Sequence, residues 1–411
     1  MGNQAILAQE PFWQLICQPD TFKIFDIEVN ASEELIIAIG DSYQGTGELF
    51  KSDDFGNSWE YILDLPDGQS CLCVEISDEG CMYAGSNQGL IYKSEDNGAD
   101  WQLVYDGWKG IHTIATGYDS IVLAGSSKQT AILRSADYGE SWDTVHTFIG
   151  TPHNAEWFTD FQFSNPDTIY ASMRPVYGDT GVYISTDLGK SWEPFGLNEY
   201  VYSLGLTQYG KLLAGVYANG IYRYEGTYWN QLYDIISPED IVVSKMNYIY
   251  LACGPFPNFI GGAMVSYDDG NSFEWINSGI GDDRYLNEFA VDNDGYLYAS
   301  NDGWSQIFRS TAPIITNVDQ HIRDSLSSCI YPNPAREKFK IHCRGNENPQ
   351  HDHPVTGIEI YNLLGEKTRS ISVPKDRTII EIDASGWQSG MYVVCLLSNG
   401  RVVESDKIVI K

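Results

Sequence analysis

The chain has 411 residues, 43% hydrophobic and 20% charged, with 39 Gly and 27 Tyr, enough for more than one core and inclined to turns and strands. Its 25 Lys+Arg against 56 Asp+Glu give −31, and residues 329–411 hold 11 basic and 10 acidic ones, which leaves 14 and 46 to residues 1–328. So acidic a body repels phosphate backbones and anionic lipid, which excludes nucleic acid as a partner, and no apolar run is long enough for membrane insertion.

The N-terminus, MGNQAILAQEP, has no basic start and no long apolar core, so no signal peptide is visible; if secreted, the protein is expected to have lost its leader. From there on the chain repeats itself. One family of β-rich runs ends in small residues: LIIAIG, CMYAGS, IVLAGS, TIYASM, KLLAGV, YIYLACG and YLYASN. A second precedes turns: GELFKS, GLIYKS, AILRS, GVYIS, GIYRY, GAMVS and QIFRS. Aromatics open the following strand at Trp13, Trp59, Trp101, Trp142, Trp192, Trp229 and Phe273. Seven units of this length, each with four short strands, predict an all-β chain built as a seven-bladed β-propeller. Trp13 has no turn motif before it, and QIFRS has no aromatic strand after it. The N-terminal strand is therefore expected to complete the last blade and remove its exposed edge.

Five of the turns share the frame Ser-x-Asp-x-Gly-x-Ser-Trp, in KSDDFGNSW, KSEDNGADW, RSADYGESW, ISTDLGKSW and VSYDDGNSF. Asp54, Asp96, Asp137, Asp187 and Asp268 can accept backbone N–H groups of their own turn. The fifth unit, RYEGTYW, is shorter and lacks the Asp. The frame resembles the Asp-box, or BNR repeat, of sialidases, sortilin-type receptors, xyloglucan hydrolases and a photosystem II assembly factor. That resemblance implies a propeller turn on the face opposite the ligand site, so these Asp residues are structural. The longer insertions, 149–160, 173–180, 253–262 and 301–306, fall on the opposite face, where loops on a rigid scaffold carry binding.

Polar sequence over 317–328 reads as a linker after a propeller at 1–316, and YPNP at Tyr331–Pro334 starts a new unit. KFKIHC, GIEIYNLLGE, RTIIEID, GMYVVCLL and DKIVIK read as a small, immunoglobulin-like antiparallel sandwich over 329–411. YPNP, IEIYNLLGE, DASGWQSGMYVV and the Lys-bounded last strand resemble the C-terminal sorting domain of the Bacteroidetes type IX secretion system. The resemblance implies export across the outer membrane by that machinery, to the exterior of a Gram-negative cell or beyond.

Chemistry is harder to place. A sialidase needs an arginine trio, but Arg134, Arg223 and Arg309 occupy the strand position that Lys51 and Lys93 hold elsewhere, which leaves Arg174 and Arg284; the Arg-Ile-Pro signature is missing. A glycoside hydrolase or lyase would need paired carboxylates, for which Glu156, Asp160, Asp282 and Asp283 are available in loops, although each reads more simply as a solvated or turn-stabilising acid. His351-Asp352-His353 lies in a polar loop and gives no metal site; no cofactor is implied. The eight cysteines form no Cys-x-x-Cys pair and sit mostly in apolar strands, as buried small hydrophobes; a Cys343–Cys395 disulfide stays open. Aromatics in the loops predicted on that face, Trp108, Trp157, Phe158, Tyr177, Phe256, Phe259 and Trp304, suggest recognition of a glycan or a surface protein. The expected ligand site is Trp157, Arg174, Tyr177 and Trp304. A structural adhesin component of the cell surface is the third reading.

Overall fold

A computed structural model describes residues 11–314 and 329–410, apart from 18–22, 41–46, 67, 108, 119, 128–130, 148–156, 166, 175–180, 235, 245–246, 256–260, 282–283, 302–305, 332–337, 343–355, 363–366, 375–376, 378, 389 and 399–400. By contacts the chain splits into two compact units, Met1–Ile315 and Thr316–Lys411.

Among the described residues the first unit is all antiparallel strand, in seven four-stranded sheets. Their first strands are Lys23–Val29, Cys71–Ile76, Ile111–Thr116, Trp157–Phe163, Val201–Leu206, Ser237–Val243 and Leu286–Val291; the sheets are numbered 1 to 7 in that order. In sheets 1 to 6 the strands follow chain order. In sheet 7 the fourth place is taken by Trp13–Cys17, with Trp13 opposite Ser310. First strands of consecutive sheets touch, and that of sheet 7 touches that of sheet 1.

Close packing explains the small residues of the second strands. LIIAIG, MYAGS, VLAGS and LLAGV are buried throughout, and a Cβ on Gly85 would stand 2.6 Å from the Cys73 sulfur and 2.7 Å from Ile111 Cγ2. Larger side chains there would force the sheets apart.

The shared turns are held by their own side chains. Asp54, Asp96, Asp137, Asp187 and Asp268 each accept the backbone N–H four residues on, at 2.7–2.9 Å. The preceding Ser hydroxyl donates to the same carboxylate and accepts the Gly N–H, as Ser135 does for Asp137 and Gly139. Two consecutive residues are left-handed in each turn, for example Leu188 (φ 62°) and Gly189 (φ 77°). The Gly was legible in the sequence; the left-handed residue before it was not. Its identity varies, as Phe55, Asn97, Tyr138, Leu188 and Asp269.

A second feature binds sheet to sheet on this rim. The cation just before the turn Ser reaches into the next sheet's turn: Lys51 Nζ donates to the Asn97 carbonyl at 3.3 Å, Lys93 pairs with Glu140 at 2.6 Å, and Arg134 Nε donates to the Leu188 carbonyl at 2.6 Å. Arg223 Nη1 donates to the Asp269 carbonyl at 2.5 Å, and the Arg309 guanidinium lies 5.0 Å over the Phe55 ring, linking sheet 7 to sheet 1. Sheets 4 and 6 have Ile184 and Val265 at this position and make no such contact.

In the second unit, a three-stranded sheet (Cys329–Tyr331, Lys338–His342, Ile379–Asp383) and a four-stranded one (Lys367–Ser372, Gly357–Asn362, Gly390–Ser398, Arg401–Ile410) are both antiparallel. Phe339, Ile341, Ile358, Ile360, Ile382, Val394 and Ile408 form a single core.

Candidate functional site

The first strands face a cavity of about 460 Å³. Its walls carry seven carboxylates: Asp26 and Glu28 from sheet 1, Glu75 from sheet 2, Asp160 from sheet 4, Glu239 and Asp240 from sheet 6, and Glu288 from sheet 7. The first strands of sheets 1, 4 and 6 each have a register shift just before their Asp. Such bulges re-aim a side chain. Each Asp then accepts a backbone N–H of the next sheet: Asp26 from Val74 at 2.9 Å, Asp160 from Leu204 at 2.8 Å and Asp240 from Phe289 at 2.9 Å. Glu75 plays the same part between sheets 2 and 3, accepting the Thr116 N–H at 2.8 Å and its hydroxyl at 2.7 Å.

Burial raises the pKa of Asp26, Glu28, Glu75, Asp160, Asp240 and Glu288, because the charged form loses hydration. Asp160 is pushed up to about 8, with the hydrogen bond from Leu204 opposing and the Asp240 charge adding to the rise. Asp26 and Glu75 reach about 7, and Asp240 about 6. Glu28 and Glu288 are held well above the usual carboxylate range by burial and by their acidic neighbours. His112, in the same wall, is lowered to about 4 by burial.

An aromatic chain runs along one edge of the cavity. The Trp157 ring stacks on His112 at 5.2 Å, and the Arg174 guanidinium lies 4.7 Å over Trp157 and 5.4 Å over Tyr200. Tyr217 continues the chain, 6.3 Å from Tyr200 and 5.5 Å from Tyr202. Tyr202 lines the cavity and is pushed up to about 12 by burial and by the charge of Glu239, with Arg174 opposing. Trp157 and Arg174 are brought together because they face each other across sheet 4, at the start of one strand and the end of the next.

Several expectations are corrected here. Residues 157–160 are not loop: the first strand of sheet 4 begins at Trp157. Asp160 is therefore a cavity-wall residue tied to a neighbouring strand, not an acid in a solvated loop. Phe158 is fully buried and stacks on Phe161, so it belongs to the core. Glu156, Tyr177, Asp282, Asp283 and Trp304 lie outside the described residues, as do Trp108, Phe256, Phe259 and His351-Asp352-His353. The cavity carboxylates other than Asp160, and the three tyrosines, were missed. The signal was present in KIFDIEV, WFTDFQF and SPEDIVV, where an Asp interrupts a strand at the same place. Among the described residues no group of three His, Cys, Asp or Glu is arranged to hold a metal ion.

Residues 329–411 match the family described as Secretion system C-terminal sorting domain. That match implies a secreted or cell-surface protein, exported by the type IX system in contact with its machinery. No curated protein sequence matches the chain. Among solved structures, it is similar to PorZ, described as a bacterial surface component of the type-IX secretion system of Porphyromonas gingivalis (14% identity, 96% of this chain, 60% of that one, TM-score 0.54). It is also similar to YCF48 bound to D1 peptide (17%, 74% and 97%, TM-score 0.56). A third likeness is to the extracellular domain of a putative hybrid two-component system of B. thetaiotaomicron (12%, 98% and 58%, TM-score 0.53). The chain spans less than two thirds of the length of the first and third of these structures. At such identities the likeness is one of fold, that of β-propeller proteins.

Proposed function

We propose that the first unit is a seven-bladed propeller of Asp-box type, closed by the N-terminal strand, that binds a glycan or protein partner outside the cell. In this reading the described part of the 1–316 body is the binding domain, 317–328 a linker and 329–411 the sorting domain. Pairing of Trp13–Cys17 with Gln306–Ser310 supports closure. The single observation that carries the binding reading is the Trp157–Arg174–Tyr200 stack beside the cavity. These rings are half-buried, not packed away, and they offer a partner a large, stiff contact surface at little entropic cost. Tyr177 and Trp304, outside the described residues, are proposed as further ligand contacts.

The test is a retention and cleavage screen of the purified protein against polysaccharides and outer-membrane proteins, repeated with Trp157→Ala. Retention by the native protein and its loss in the variant, with an unchanged melting midpoint, supports the reading. Retention that survives the change refutes it. A second reading, glycoside hydrolase, is favoured by Asp160, whose carboxyl is protonated near neutral pH as a general acid must be. Cleavage in the same screen, abolished by Asp160→Asn, would establish it. Against it, Asp160 already spends one oxygen on the Leu204 N–H.

A further inference from the structure

We propose that the aromatic edge and the cavity beside it receive a cationic peptide segment, with a Lys or Arg side chain entering among the wall carboxylates. This inference rests on the binding reading above and names the partner's chemistry. Three observations carry it.

The first is the edge itself. Trp157 and Tyr200 already hold one guanidinium, that of Arg174, on their ring faces at 4.7 and 5.4 Å. Aromatic faces attract cations through the ring quadrupole, and more strongly where water is partly excluded. Tyr217 and Tyr202 continue this surface to the cavity wall. The edge thus displays, within one chain, the contact that a partner's basic side chain would make.

The second is charge complementarity. The cavity is lined by seven carboxylates and by no Lys or Arg. Asp26, Glu75, Asp160 and Asp240 are engaged with neighbouring strands, Glu239 accepts the Ser237 hydroxyl at 3.4 Å, and Glu28 and Glu288 complete the wall. An anionic glycan or an acidic protein would bring like charge to these acids, and a neutral sugar would offer them hydroxyl donors but leave their charge uncompensated. A cation would ionise the acids it pairs with and relieve their mutual repulsion.

The third is reach. The cavity volume, about 460 Å³, is in the range of small-molecule sites and suits one or two extended side chains rather than a folded domain. The occupant is then a flexible segment or a chain terminus, with the body's large acidic excess steering its approach.

The experiment uses the intact protein and two probes, hexa-arginine and hexa-glutamate peptides, followed by calorimetry at low and at physiological salt. Saturable one-site binding of hexa-arginine, with none of hexa-glutamate, is expected. Glu239→Gln/Glu288→Gln should weaken it by about tenfold, the scale of losing close charge pairs. Glu60→Gln/Asp106→Asn, which removes the same charge from outer strands, should leave it unchanged. Equal weakening by both double variants would show diffuse attraction to an acidic body and overturn the proposal. So would the absence of saturable hexa-arginine binding. If the screen then finds a neutral or acidic partner that Trp157→Ala releases, the aromatic edge remains the binding face and only the cationic assignment falls.

Discussion

Arg134 and Leu188 are joined across two sheets: the Arg134 Nε donates to the Leu188 carbonyl at 2.6 Å. Leu188 is left-handed, at φ 62°, which turns its carbonyl out of its own turn and towards the neighbour. Arg134 is buried, so its charge is placed there for structure. Sequence position alone had grouped it with Lys51, Lys93, Arg223 and Arg309, and each of them reaches the next sheet, at a carbonyl, a carboxylate or a ring. Arg134→Met keeps the aliphatic stem and removes the donor. We expect a loss of about 1–3 kcal/mol, the cost of leaving a partly buried carbonyl unpaired, measured by chemical denaturation. Arg174→Met, beside the cavity, should cost much less stability than Arg134→Met.

The turn carboxylates should be as structural as the rim cations. Asp187 accepts the Ser191 N–H at 2.9 Å and its hydroxyl at 2.6 Å, besides the Ser185 hydroxyl at 2.8 Å. Asp187→Ala should lower stability by about 1–2 kcal/mol through these bonds, with ligand retention intact at saturating ligand. Lost retention in a folded Asp187→Ala protein would place function on the turn face instead.

Stability should depend on pH with a maximum in mild acid. Asp160, Asp26, Glu75 and Asp240 have folded pKa values of about 8, 7, 7 and 6, all above the ordinary carboxylate range near 4. For a raised carboxylate the folded state holds its proton longer than the unfolded chain does. The stability it contributes is present below the unfolded value and is lost as pH climbs through the folded one. The turn residues Asp54, Asp96 and Asp137 are lowered, chiefly by hydrogen bonds accepted from Ser58, Asp100 and Ser141, so their contribution is lost at the acid end. The melting midpoint should therefore fall from about pH 5 to pH 8. Asp160→Asn should flatten that fall, and an unchanged slope would contradict the burial argument.

Removing residues 1–18 takes away the Trp13–Cys17 strand, its pairing with Gln306–Ser310 and the Trp13 N–H bond to the Ser278 carbonyl at 2.9 Å. Trp13 is 1% exposed, so its ring leaves a void in the core it shares with Phe289 and Phe308. The shortened protein should melt lower and associate through the bared edge of sheet 7. Light scattering that shows a monomer with an unchanged midpoint would refute closure.

Deleting residues 329–411 should leave a folded first unit and abolish export in a host with a type IX system. The motivation is the family match over those residues. Surface display of the shortened protein, detected by protease accessibility on whole cells, would overturn the role assigned to them.

The all-β fold in four-stranded antiparallel sheets was legible because the information is local. Turn chemistry needs Ser, Asp and Gly at fixed offsets, and small residues must recur where sheets press together. The cavity was not legible in the same way. Asp26, Asp160 and Asp240 do their work only once strands far apart in sequence are side by side, and a single acid in a strand does not announce its neighbour. Asp160 and Phe158 were also hidden by reading 149–160 as one insertion, when the strand begins at Trp157. Tyr200, Tyr202 and Tyr217 carry no spacing signal; they meet through folding alone.

The two kinds of junction have a shared consequence. Sheets 3 to 4, 5 to 6 and 7 to 1 are clasped at the rim by Arg134, Arg223 and Arg309. Sheets 4 to 5 and 6 to 7, where the rim residue is Ile184 or Val265, are clasped at the hub by Asp160 and Asp240. Sheets 1 to 2 and 2 to 3 carry a rim cation and a hub carboxylate together. Two seams thus have a hub carboxylate and no rim cation, and these should answer to base rather than to salt. Alkali, by charging the hub, should part the molecule there first, leaving sheets 1, 2 and 3 as its most durable arc.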